Sequence, residues 1–144
     1  MIRNVTANDK DVFIDLAKQF YSTDAVLSPI PDENFENTFR EIMQSDVYAE
    51  GFMIESNGKT AGYALIAKTF SQEAGGPAIW IEELFILPEF QGKGLGKEFF
   101  DWLFENRPAK RYRLEIEPEN EKAIGLYIKK GFIDLPYGQM VRDV

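Results

Sequence analysis

Apolar positions along the chain change period several times, and each change marks an element. Met1–Val5 reads as a short strand. From Thr6 to Tyr21, Phe13, Leu16, Ala17 and Phe20 recur at i, i+3, i+4 and i+7, the apolar face of a helix with Thr6 or Asn8 as its cap. Ser22–Asp32, with Pro29 and Pro31, reads as a loop, and Phe35, Phe39, Ile42 and Met43 define a second helical face. The stretches 47–56 and 59–70 flank Asn57-Gly58, the dipeptide that supplies two positive-φ residues to a type I′ hairpin turn. A polar, glycine-bearing loop over 71–77 returns the chain to an apolar run, Ile79-Trp80-Ile81-Glu82-Glu83-Leu84-Phe85-Ile86-Leu87, which Pro88 stops. Tyr112–Glu117 alternates with period two and reads as a strand ended by Pro118. Ala123, Ile124, Tyr127 and Ile128 share one face of a last helix, capped by Gly131, and 132–135 with 139–144 read as a closing hairpin. The predicted order is βααβββαβαββ, one α/β (α+β) domain over residues 1–144.

Between the central apolar run and the third helix lies Gln91-Gly92-Lys93-Gly94-Leu95-Gly96-Lys97. A glycine-rich turn opening a helix suits an anion, because the first helical N–H groups lack partners and the aligned peptide dipoles make that end positive. Gly92, Gly94 and Gly96 would allow close backbone approach and φ > 0, and Lys93 and Lys97 would add charge. The spacing fits neither GxxxxGK[ST] nor GxGxxG, which sets aside the P-loop and the dinucleotide fingerprint.

Composition narrows the chemistry. The 144 residues contain no cysteine and no histidine, so disulfides, thiolate nucleophiles and the commonest general base and metal ligand are all excluded. Acid–base work must fall to Glu, Asp, Tyr, Lys or water, and no metal site is expected. The formal charge of -8 argues against a nucleic-acid partner and would suit a cationic substrate. No apolar run reaches the roughly 18 residues of a membrane span, and the first residues lack the apolar core of a secretory signal. A soluble cytoplasmic protein with no membrane partner is the expectation.

Gln91-x-x-Gly94-x-Gly96 resembles the Gln/Arg-x-x-Gly-x-Gly/Ala signature of the GNAT superfamily of N-acetyltransferases. Asn120-x-x-Ala123-x-x-x-Tyr127-x-x-x-Gly131-Phe132 is similar to that superfamily's second pattern. Two such motifs on separate strand–helix units, in the family's order, are far more specific than either alone. The resemblance implies a central mixed, mostly antiparallel twisted sheet, helices on both faces and a splayed central strand pair that admits acetyl-CoA as cosubstrate. Contacts to it would come from Gln91, Gly92, Lys93, Gly94, Leu95, Gly96, Lys97 and Asn120, from the backbone N–H groups of Leu84, Phe85 and Ile86, and from Tyr127 facing the sulfur.

The implied reaction is direct transfer of an acetyl group to a primary amine of a small molecule or peptide. An alkyl amine with a pKa of roughly 10.4 needs a route for its proton. Glu82 and Glu83 are the natural candidates, Glu82 aligning by resemblance with the catalytic glutamate of the spermidine/spermine N-acetyltransferase branch and Glu83 lying nearer a substrate-contact role. Strand alternation sends the two to opposite faces unless a bulge intervenes. The Tyr127 hydroxyl is the candidate acid for the leaving thiolate. Glu115 and Tyr21, the latter on the helices that overhang the acceptor site in the family, are further candidates for substrate binding. Acidity and the Glu82-Glu83 pair favour a polyamine or another small amine, with peptide and antibiotic amines also open. Family habit points to a homodimer. The competing reading is a noncatalytic acyl-CoA-binding regulatory module.

Overall fold

The structure is a computed structural model describing residues 1–144. Its elements are β1 (Ile2–Asn4), α1 (Lys10–Phe20), α2 (Asp32–Gln44), β2 (Ala49–Ser56), β3 (Lys59–Ser71), β4 (Gly76–Ile86), α3 (Leu95–Asn106), β5 (Arg111–Leu114) and α4 (Glu121–Lys129). The strands form one sheet in the order β1-β2-β3-β4-β5, antiparallel throughout except for the parallel pair β4–β5. No helix is long and apolar enough to cross a membrane.

Local chemistry explains most of the boundaries. The Asn57-Gly58 turn takes φ values of 51° and 75°, the pair of positive angles that lets the twist of β2 pass into β3. Before α1, a short 3-10 turn over Ala7–Asp9 is fixed by Asp9, whose carboxylate accepts from the Thr6 N–H at 2.8 Å and from Arg3 at 2.8 and 3.0 Å. Helices cover both faces of the sheet. On one, α1 and α2 bury Phe13, Leu16, Phe35 and Phe39 against Met53, Tyr63 and Phe85. On the other, Phe99, Phe100 and Leu103 of α3 pack on Phe52, Ile54, Ile66, Ile79 and Ile81, with Leu126 and Tyr127 of α4 alongside.

Two expectations change. The strand expected over 112–117 ends at Leu114, and the closing hairpin does not form: residues 132–144 make no sheet pairing. Ile133, Met140, Val141 and Val144 stay exposed, because β5 offers only four residues of edge and Pro136 removes a donor from the segment that would have to extend it. The segment is tied instead through the Tyr137 hydroxyl, which donates to Glu73 in the β3–β4 turn at 2.9 Å. At Glu82-Glu83 the bulge that sets strand alternation aside is present. Leu65 faces Glu83 while the next residue, Ile66, faces Ile81, so Glu82 is the extra residue of a β-bulge in β4.

Candidate active site

The site is built where β4 outruns β5. The parallel pairing covers only Ala78–Ile81 against Arg111–Leu114, after which β4 continues to Ile86 with β3 as its sole neighbour. The ladder to β3 sets which groups face the opening. Leu87 donates its N–H to the Ala61 carbonyl at 2.8 Å, so by antiparallel alternation Phe85 also bonds towards β3, opposite Tyr63. Leu84 and Ile86 therefore turn their N–H and C=O groups to the open edge. Of the three backbone positions expected to hold a ligand like an added strand, Phe85 is the one whose polar groups are already engaged within the sheet.

Ile86 ends at the glycine turn. Gln91 donates its side-chain Nε2–H to the Ile86 carbonyl at 2.9 Å, anchoring the turn to the end of β4. Gly92 and Gly94 take φ values of 75° and 81°, where a side chain would be strained, and open space lies where a Cβ would stand. The first backbone bond of α3 runs from the Glu98 N–H to the Gly94 carbonyl at 2.9 Å, and the N–H groups of Leu95, Gly96 and Lys97 have no backbone partner. Two sequence expectations shift here. Gly96 has no positive φ; a Cβ there would stand 2.9 Å from Leu126 Cδ2, so this glycine lets α4 approach α3. The Lys97 ammonium is engaged by Asp101 at 2.9 Å, one turn along the helix, whereas Lys93 lies over the Phe90 ring at 5.3 Å.

The carboxylates gather around the bulge. Glu83 points to the α1/α2 face, where its two oxygens each accept a phenol hydrogen bond at 2.8 Å, one from Tyr21 and one from Tyr63. Burial pushes Glu83 up, and the two phenols pull it partly back. Both tyrosines are pushed well above the usual phenol range, by burial first and then by the adjacent Glu83 charge. Glu82 is more exposed and makes no side-chain hydrogen bond. Partial loss of hydration and the neighbouring charges of Glu115 and Glu83 push it up as well. The structure thus brings Tyr21, Glu83 and Glu115 around Glu82.

Tyr127 approaches from the opposite face. Its ring packs edge-on against Phe100 (5.9 Å) and beside Phe132 (6.0 Å), its hydroxyl makes no hydrogen bond, and burial raises its pKa. Asn120 caps α4, its Oδ1 accepting from the Ala123 N–H at 3.3 Å. Tyr63 was not a candidate from sequence. It is fully buried 20 residues before Glu83, and only the β3–β4 register, with Leu65 opposite Glu83, brings the two into contact.

The family model described as Acetyltransferase (GNAT) family matches residues 11–132. A Bacillus subtilis (strain 168) protein provisionally named ribosomal protein bS18-alanine N-acetyltransferase is 28% identical over 133 residues, 90% of this chain and 78% of its own length. An uncharacterized N-acetyltransferase of Methanocaldococcus jannaschii is 29% identical over 91% of this chain, which spans 59% of that protein. Among solved structures, AAC(6')-Iy in complex with the bisubstrate analog CoA-S-monomethyl-acetylneamine superposes with a TM-score of 0.80 over 100% of this chain and 97% of its own, at 20% identity. That likeness extends to the fold.

Proposed function

The chain belongs to the GNAT acetyltransferase family, and from that premise we propose that it transfers an acetyl group from acetyl-CoA to a primary amine in a ternary complex. The observation that carries the reading is the parting of β4 from β5 beside the glycine turn. It leaves the Leu84 backbone and the Ile86 N–H free to pair with the amide-bearing pantetheine arm, the Ile86 carbonyl being held by Gln91, and the unbonded N–H groups at the start of α3 free to take the pyrophosphate. Relatives named as N-acetyltransferases, and the CoA-bearing ligand of the similar solved structure, support the same donor.

In the proposed reaction the acceptor nitrogen attacks the thioester carbonyl carbon, forming the C–N bond as the C–S bond breaks. Glu82 takes the amine proton, directly or through one water. It is suited to this because its oxygens carry no hydrogen bond and its affinity for a proton is raised. Glu83, held by two phenols, is the fixed negative charge that orients the incoming ammonium. Tyr127, on the α3/α4 face, gives its hydroxyl proton to the departing thiolate; burial keeps that hydroxyl protonated at neutral pH.

The test is steady-state thiol release. Tyr127→Phe should lower kcat about 100-fold or more, the scale of a lost general acid, while the KM for acetyl-CoA stays unchanged. Unaltered turnover would remove Tyr127 from the mechanism. Glu82→Gln should depress the rate most at lower pH, where free amine is scarce, and a variant as active as the parent would move the base to Glu83 or solvent.

A further inference from the structure

The acceptor face carries a cation as well as the carboxylates. Tyr112 and Leu114 of β5 pack on the α3 side, so Arg111 and Arg113 project to the face that holds Glu83, and Glu115, just past the strand, lies within range of the Glu82 charge. Arg113 lies directly across from Trp80 in the β4–β5 register, and its guanidinium carbon stands 4.2 Å from the centre of the Trp80 ring. Most of the protein's structured guanidiniums are spent on carboxylates: Arg3 on Asp9 and Glu55, Arg107 on Glu50, and Arg111, two residues away on the same face, on Glu73. Arg113 forms no ion pair and no side-chain hydrogen bond. It is half-exposed, fixed by stacking, with all its N–H donors free.

We propose that Arg113, stacked on Trp80, binds a carboxylate of the acceptor while Glu83 and Glu82 receive its amine, so that the acceptor is an amino acid or short peptide bearing both groups. The spacing fits. Across the bulge, Trp80 and Glu83 stand opposite Ala67 and Leu65, two residues apart on β3 and so about 7 Å along the strand, the reach of a lysine-like chain or of a dipeptide with an acidic second residue. A polyamine would place a second cation against Arg113. Glu73, the carboxylate that feels the Arg113 charge, is already paired with Arg111, and none of the carboxylates at the bulge pairs with Arg113. The two poles of the face therefore stay separate and unquenched. This inference rests on the acetyl-transfer reading for its catalytic consequence, and its binding consequence is independent.

The experiment compares acceptors matched except for the carboxylate: Nα-acetyl-lysine against its methylamide, the C-terminal amide of Ala-Asp against the C-terminal amide of Ala-Asn, with cadaverine as the diamine. Thiol release and calorimetric binding to the CoA-saturated protein are both measured. The acids should show KM or Kd about tenfold lower than the amides, the scale of one charge-assisted contact at a half-exposed site. Arg113→Gln should abolish that preference by raising KM for the acids alone, with kcat and the amides unchanged, and Arg113→Lys should restore part of it. Amides or cadaverine used as well as the acids, or an acid preference that survives Arg113→Gln, would overturn the inference and leave acetyl transfer standing. Acid-selective binding lost in Arg113→Gln, without thiol release from any acceptor, would support the recognition site and refute the transfer reading. No acid preference in either measurement overturns the inference.

Discussion

Replacing Tyr63 by Phe removes one of the two hydrogen bonds that stabilise the Glu83 anion and keeps the ring in place. Tyr63 is fully buried, and its ring packs against Phe13, Phe20 and Phe85, so the isosteric change leaves the core filled. A hydrogen bond to a charged group contributes about 1.5–3 kcal/mol. Some of that returns because the phenol hydroxyl no longer has to be desolvated, so the net loss at neutral pH is about 1–2 kcal/mol, and the Glu83 pKa rises further as the anion loses a donor.

The sign follows from linkage. Glu83 already sits above its unfolded value because burial outweighs its phenol partners. Its folded state thus binds the proton more tightly, and stability is fully present below the unfolded value of about 4.3 and falls as pH rises through the folded one. In Tyr63→Phe the fall extends further. Urea unfolding of parent and variant at intervals from pH 4 to pH 8 should show a small gap at pH 4 that widens to the full value by pH 8. A gap independent of pH would refute the coupling of Tyr63 to the Glu83 charge and reduce the effect to packing.

Other consequences are equally direct. Gly62→Ala should destabilise the fold by about 3 kcal/mol or more, because its Cβ would stand 2.0 Å from the Phe85 carbonyl oxygen and only backbone movement relieves that. Gly96→Ala, which meets only the mobile end of Leu126, should cost less than about 1 kcal/mol; equal thermal shifts for the two would contradict the geometry. Arg107→Gln should weaken the protein by about 1–2 kcal/mol at neutral pH, the lower range for a partly exposed member of a buried pair. Burial tends to raise Glu50, but Arg107 and Lys68 overcome it and hold the carboxyl at about 2. That stabilisation is present above the unfolded value of about 4.3 and is lost as pH falls towards 2. The variant's unfolding midpoint should therefore converge on the parent's only in acid.

What was legible in the sequence was local. Asn57-Gly58, the helical faces through Phe13 and Phe39, and the run from Ile79 to Lys97 each depend on neighbours within a few residues, and each appears close to where its pattern places it. The bulge at Glu82 was not legible, because a one-residue shift is decided by β3 and leaves no mark on β4. The role of Tyr63 is hidden for the same reason: an aromatic in an apolar strand reads as core, and only the register hands its hydroxyl to Glu83. The absence of a side chain at Gly96 and the Lys97 ammonium have further partners that adjacency to the turn does not show, Leu126 across the helix packing and Asp101 one turn along, while the two backbone N–H groups stay unbonded at the turn. Pro136 and Gly138 between 132–135 and 139–144 have the chemistry of a hairpin turn, but a hairpin needs an edge to join, and β5 is too short to offer one.

Acetyl transfer, and not storage or sensing of an acyl-CoA, is the function proposed for the parted strands and the glycine turn. Thiol release by the full chain with acetyl-CoA, screened across amino acids, peptides, polyamines and aminoglycosides, tests it most directly. Acceptor-dependent release that Tyr127→Phe and Glu82→Gln each suppress is the predicted result. Thermal stabilisation by acetyl-CoA with no release above the acceptor-free rate for any amine would contradict it and identify a binding module.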